Sequence, residues 1–430
     1  MNEIEVVGAE AVATGGAVDA AAPVAVDPKD RPWLFGLLIA PSAAVANGVV
    51  QGGVLAYLLS QQGVGSAGQS HLIALLGIPT WLYFAWSPIT DFFVKRRTWL
   101  LAGGLLAAVM MGAAFHQPQL SSRMCVALMF VSACCSQLVV SSCGGMMGAM
   151  RSEGSRRVAG SFYQAGSMGI GALAAWVLVW ESSRVSHDAL GLTAAGLIGI
   201  PALFSLAAPK QETVATGTLA ATFERVWREF KETFWRKEAL PYIGCMTFPM
   251  ASGAAVGLLP GVAQQFHVGG DSVAWMNGLA GGLLMAAGSG VMVAVRVRMR
   301  ASVLYMVVAL INCAALAVLW LGPLGAATYY TGVTLYLFTT GACYAMFTAV
   351  VLEFLGDSGK SGSTRYSIIN SLGNLPVQYM LLVDGWGGEK WGGRGLAGSE
   401  AVVGAVGAVV LLAMLLWMQP GKKSEPAASV

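Results

Sequence analysis

Charge is what this sequence has least of. Asp, Glu, Lys and Arg make up 11% of its 430 residues, against about 25% in a soluble domain. So few charges cannot cover a water-facing surface, and 56% of the residues are hydrophobic. The chain therefore reads as an integral membrane protein. Its net charge of +3 is small and its bases are dispersed, which excludes the concentrated basic face of a nucleic-acid binder. Zinc-like cysteine spacing is missing too. Cys125, Cys134, Cys135, Cys143, Cys245, Cys313 and Cys343 all lie inside apolar runs, where they act as small packing residues, and no disulfide framework, metal or cofactor is expected. Residues 1–32 lack the basic start and unbroken apolar core of a signal peptide. They read as a soluble cytoplasmic tail, with the first membrane helix serving as an uncleaved targeting signal. A membrane enzyme would need a His-rich metal box, a Cys–His set or an acidic pair within a span, and none of these stands out.

What is present is a series of apolar stretches. A helix needs about 20 such residues to cross a bilayer. Twelve segments qualify: 33–59, 70–90, 98–115, 124–150, 159–180, 189–208, 239–264, 272–294, 301–321, 325–352, 366–384 and 399–418. Lys and Arg in short loops mark the cytoplasmic side. With the N-terminus inside, 21 of the 25 Lys and Arg fall on inner segments, and only Arg123, Arg184, Lys390 and Arg394 fall outside. An even number of helices with both termini cytoplasmic fits that split. The expected fold is all-α, with twelve transmembrane helices in two six-helix halves.

The longest inner loop, 209–238, separates a half at 33–208 from a half at 239–418, which is followed by a tail at 419–430. Within the loop, Leu219, Phe223, Trp227, Phe230 and Phe234 recur at helical spacing opposite a charged face, predicting an amphipathic helix on the inner leaflet. A faint repeat relates the halves. Ser167-Met-Gly169 and Ser371-Leu-Gly373 are 204 residues apart, and so are Arg96 and Arg300. Two six-helix halves in parallel repeat are the arrangement of the major facilitator superfamily.

One charged stretch interrupts the oil: Trp86-Ser-Pro-Ile-Thr-Asp91, followed by Lys95-Arg-Arg-Thr-Trp99. It resembles the Gly-x-x-x-Asp-Arg-x-Gly-Arg-Arg signature between helices 2 and 3 of major facilitators. Ser87 stands at the glycine position, Phe92 replaces the first base and Val94 the second glycine. The form is similar to that of the peptide/acetyl-CoA transporter branch, which includes AmpG-type muropeptide permeases and some siderophore importers. Arg156-Arg-Val-Ala-Gly160 through Gly166, and Thr364-Arg-Tyr through Pro376 and on to Asp384-Gly-Trp-Gly, resemble the same branch. The resemblance implies that Asp91 closes the cytoplasmic side by meeting the N-terminal end of helix 11, near Thr364–Tyr366, and nearby bases. Lys95, Arg96, Arg97, Arg156 and Arg157 complete that expected latch. Anions are favoured near helix N-termini by about 0.3–2 kcal/mol, enough to tilt a two-state equilibrium. The Gly-Pro-Gly-Gly type motif of drug antiporters is absent from helix 5.

Uncharged polar residues mark the expected cavity. Asn370, Asn374 and Gln378 form a stripe on helix 11 with Ser367 and Ser371, and Asn47 and Gln51 pair on helix 1. Gln137, Gln164, Asn277, Tyr336 and Tyr344 lie on other helices. Unpaired buried amides cost about 1–3 kcal/mol, so these faces should turn toward a cavity or a neighbour. Proton coupling needs a titratable group within reach, and the candidates are Glu353 and Asp384, since all four histidines fall near the outer surface. The residues and the resemblance together point to a monomeric secondary transporter of a polar solute, such as a muropeptide, in a bacterial-type inner membrane. Its partners would be the solute, protons and the lipid bilayer. A siderophore importer is the alternative within transport, and a nontransporting receptor or scaffold is the alternative outside it.

Overall fold

The computed structural model describes residues 30–91, 93–150, 152–209, 218–236, 239–294, 300–355, 368–369 and 371–418. The two tails, Arg151, Asn370 and the expected start of helix 11 at 364–366 lie outside the described residues. The described architecture is helical throughout. In chain order come α1 (Pro32–Val50), α2 (Val54–Gln61), α3 (Ser66–Trp81), α4 (Arg96–Phe115), α5 (Arg123–Gly148), α6 (Glu153–Glu181) and α7 (His187–Ala202). The connecting α8 (Leu219–Phe234) is followed by α9 (Leu240–Thr247), α10 (Ala254–Val262), α11 (Gly270–Asn277), α12 (Leu279–Ala294), α13 (Ala301–Leu321), α14 (Ala326–Leu355) and α15 (Leu375–Met418). Polar caps start several of them. Ser122, Ser152, Ser186 and Thr218 accept from backbone N–H groups of α5, α6, α7 and α8, each such cap contributing about 1 kcal/mol.

Among the described residues, eight helical runs are long and apolar enough to cross a membrane. Several predicted segments are interrupted. Segment 33–59 is split: α1 ends in π-helical turns over Ala44–Val50, and the chain bends through Gly53 at φ +84° before α2. Segment 239–264 is split between α9 and α10 by a non-helical stretch, with Ala251 at φ +51° and Gly253 at φ +73°. Segment 272–294 breaks at Gly278. The Gly- and Trp-rich stretch 385–394, read from sequence as a loop, is helical instead. α15 turns back at Trp391 and Gly392, the latter at φ +65°. It forms a tight hairpin whose first limb is 375–391 and second limb 393–418. Glycine makes that approach possible, because Gly387 and Gly395 put backbone against backbone.

α8 does more than float on a membrane surface. Its Val226 and Phe234 are buried, and Phe234 packs on Phe354 with ring centroids 5.8 Å apart. A cavity of about 430 Å³, lined by Trp81, Phe84, Trp227, Phe230, Ile368 and Leu375, lies between α8 and the adjoining ends of α3 and α15. All seven cysteines are free thiols, buried or half-buried.

Candidate functional site

Two ends of the molecule differ: the linker end, where α8 lies, and the far end. At the far end the two broken helices meet. A side chain on Gly53 would strike the ring of Pro260, and Gly257 lies against the backbone of Gln51. α3 and the first limb of α15 pack along their shared length, with Gly388 against Ser66, Gly385 against Ser70 and Gly77 against the Gln378 amide. Near the linker end the Phe84 N–H donates to Ser371 Oγ at 3.2 Å. Two polar contacts pin the far surface. Arg184 donates to both carboxylate oxygens of Asp271 at 2.8 and 2.9 Å, and the Ala67 N–H donates to Glu389 at 3.3 Å.

α6 and α12 behave differently. They touch toward the far end, where Gly278 lies against Trp176 and Gly282 against Ala172. A helix repeats its face every three to four residues. The same face of α6 continues toward the linker end through Met168, Ala165, Gln164 and Ser161, all exposed, and the same face of α12 through exposed Ala286 and Gly290. The two helices therefore splay, and a cleft opens at the linker end.

The expected cavity residues divide into three kinds. Some are tied to neighbours. Asn47 donates to Ser167 Oγ at 2.9 Å, joining α1 to α6. Buried Gln137 donates to Thr80 at 3.2 Å, joining α5 to α3. Tyr344 sits against Gly253, and half-buried Asn374 occupies the turn before α15. Others keep unused polar atoms. Asn277 accepts from Tyr329 at 3.0 Å while its Nδ2 has no partner, and both amide atoms of buried Gln378 are unpartnered. Gln164 is exposed on the cleft face of α6. Tyr336 belongs to the third kind, an acid cluster described below.

The expected latch is described in part. Asp91 ends a short 3-10 turn, but its side chain and that of Arg157 lie outside what is described. Arg96 donates to the Gly145 carbonyl at 2.7 Å and Arg97 to that of Leu206 at 2.5 Å, fixing α4 to α5 and to the 3-10 turn that follows α7. Lys95 precedes α4 and is exposed, as is Arg156. Exposed Glu353 accepts from Tyr242 at 3.1 Å and from the Ala301 N–H at 3.1 Å. It thereby caps α13, a favourable place for a carboxylate.

The main surprise is Glu400, on the second limb of α15. Sequence reasoning found no acidic pair within a span, yet the hairpin brings Glu400 into contact with Asp384. Both are buried, at 3% and 0% exposure. Glu400 Oε1 accepts from Ser252 at 2.7 Å and from Tyr336 at 3.0 Å, and Oε2 accepts from the Ala255 N–H at 2.7 Å. Ser252 Oγ also accepts from the Ala254 N–H at 3.1 Å. The buried backbone donors that begin α10, which have no partner within the helix, are thereby satisfied, as a helix broken within a membrane requires. The carbonyls left by α9 are met as well: Tyr379 donates to Thr247 at 2.6 Å and Tyr305 to Met250 at 3.5 Å. Asp384 is less well served. Oδ1 accepts from Ser399 at 3.0 Å, while Oδ2 is buried without a donor. A signal for the pair existed in the sequence, since Asp384 lies eight residues before Gly392 and Glu400 eight after. In a hairpin turning at Gly392, residues equally distant from the turn face each other.

No family model matches the sequence, and no curated protein matches it. Solved structures do match. The nucleoside transporter NupG aligns with TM-score 0.66 at 12% identity, covering 90% of this chain and 99% of its own. A peptide transporter POT in complex with sulfate aligns with TM-score 0.65 at 14% identity, covering 90% and 94%. A D-xylose-proton symporter aligns with TM-score 0.63 at 14% identity, covering 88% and 95%. At such identities the likeness is one of architecture, and architecture alone does not fix activity. The chain shares the helical fold of these solved transporters.

Proposed function

We propose that the protein is a secondary transporter that carries a polar solute by alternating access. In this reading a monomer crosses a bacterial-type inner membrane twelve times, in six-helix halves at 33–208 and 239–418, with both termini in the cytoplasm. The basic linker end is then the cytoplasmic end, and the solute enters together with protons. The observation that carries the reading is the contrast between the packed far end and the cleft between α6 and α12. Alternating access needs two states, and an end closed while the other is open is one of them. The free amide atoms of Asn277 and Gln378 and the exposed amide of Gln164 favour a ligand rich in hydroxyl and amide groups. A sugar-peptide such as a muropeptide has that chemistry. No enzymatic step or cofactor enters this reading.

The test is uptake of radiolabelled anhydro-muropeptide by cells that lack their own permease and express this protein, with and without a protonophore. Uptake abolished by the protonophore supports muropeptide–proton import. Absence of uptake, with the protein present in the membrane, rejects that substrate and makes a siderophore the next probe. Asp91→Asn separates a transporter from a receptor: the expected outcome is normal insertion with a large loss of uptake, whereas wild-type uptake would reject the latch.

A further inference from the structure

We infer that Asp384 and Glu400 hold one proton between them, and that this shared proton locks the far end closed. The inference rests on the proton-coupled reading above and gives it a site.

The geometry assigns the proton to Asp384. Glu400 already accepts from two hydroxyls and one backbone N–H, the surroundings of an ionised carboxylate at a helix N-terminus. Asp384 Oδ2 has no donor, and the Asp384 carboxyl lies in contact with that of Glu400. Two acceptor oxygens in contact need a hydrogen between them, and two like charges confined in one site do not both ionise. No cation offsets them among the described residues. The titratable groups facing the pair are Tyr336, Tyr344 and Cys343 on α14 and Cys313 on α13. The α9–α10 break contributes Ser252 and α3 contributes Ser70, against the next residue of the limb.

That last contact links the proton to the gate. Gly385, the neighbour of Asp384, is where the first limb of α15 packs on Ser70 of α3, and Gly388 packs on Ser66 one turn farther. These contacts join the chain before the linker to the chain after it. Glu400 is fastened to the start of α10, so repulsion is relieved by moving the Asp384 limb. When the O–H bond of Asp384 breaks and its proton passes to far-end water, the limb carrying Gly385 and Gly388 is driven off α3. Rebinding a proton restores the closed state.

The test needs no substrate. Hydrogen exchange of the purified full chain is followed by mass spectrometry from about pH 5 to 9, corrected for intrinsic exchange. In the wild type, protection across 54–76 and 385–400 is expected to fall about tenfold per pH unit above the transition, as linkage to one proton requires. Asp384→Asn keeps the limb neutral, so its protection stays high and flat across the range. Glu400→Gln removes the opposing charge and flattens the profile too, which serves if the first variant does not fold. Wild-type protection that ignores pH, or a variant that keeps the wild-type profile, overturns the inference. Failure of muropeptide uptake with this profile intact rejects the substrate and leaves the lock standing. Proton-driven uptake with a flat profile rejects the lock alone.

Discussion

The two broken helices solve one problem in different ways. Each bends at a glycine in the left-handed region, Gly53 at φ +84° and Gly253 at φ +73°, and each resumes as a short helix pointing to the far end. Before the linker the bend has no side-chain cap at Gly53, and the Asn47 amide donates to one residue nearby, Ser167. After the linker the bend is wired. Ser252 and Glu400 meet the start of α10, and Tyr305 and Tyr379 meet the carbonyls of the break. The first bend can rest on packing alone. The second depends on hydrogen bonds to one buried carboxyl group.

The largest expected effect tests that contrast directly. Glu400→Ala strips an acceptor from Ser252, Tyr336 and the Ala255 N–H at once. Each buried donor left without its acceptor costs roughly 1–3 kcal/mol. Asn47→Ala removes bonds to one residue, Ser167, and costs about 0.5–1.5 kcal/mol. Thermal unfolding of the detergent-solubilised variants should show a much larger drop for Glu400→Ala. Equal drops would mean that the second bend is held by packing as well.

The difference between these bends also marks what the sequence could show. Long apolar runs and the Lys and Arg between them are one-dimensional properties, and the described membrane-length helices overlap predicted stretches, while the breaks within segments and the joining of the last two in one hairpin were not legible. The Asn47, Gln137 and Asp384 positions stood out because polar groups are rare there. Glu400 did not stand out, since its meaning comes from the hairpin, and Gly-Gly-Glu-Lys-Trp-Gly-Gly reads as a loop by propensity. In place, Gly387 and Gly395 pack backbone to backbone, and tertiary packing overrides glycine's low helix propensity. Which polar residues pair and which stay free was also beyond reading. Asn47 and Gln378 are both amides on polar faces, and only distances separate the satisfied one from the orphan.

A middling effect sharpens the comparison at the glycines themselves. Alanine in the left-handed region costs roughly 1–2 kcal/mol, so Gly53→Ala and Gly253→Ala share that loss. Their surroundings differ. A methyl on Gly53 meets the Pro260 ring, held within α10, and a methyl on Gly253 meets the Tyr344 hydroxyl at the end of a movable side chain. Gly53→Ala should therefore destabilise more. Tyr344→Phe should recover part of the loss at Gly253 and none at Gly53, which a double-mutant cycle measures. Recovery at both positions would show that the bends respond as one unit.

The smallest effect lies where the two parts of the chain touch. Arg184 and Asp271 join the end of α6 to the start of α11 through a bidentate pair, with side chains 38% and 69% exposed. Exposed pairs contribute about 0–1 kcal/mol, so Arg184→Gln should lower far-end protection less than about fivefold at low salt. In 1 M salt the screening length shrinks to about 3 Å, and wild type and variant should then exchange alike. A larger loss that persists in salt would mean that this contact, and not the hairpin, holds the far end shut. The expected order has a mechanical sense. Strong contacts, such as those of Glu400, lie within one part of the chain and keep it rigid, while weak ones bridge the parts and let them separate. Were the bridging contacts as strong as the internal ones, a single shared proton would be too small a lever to part them.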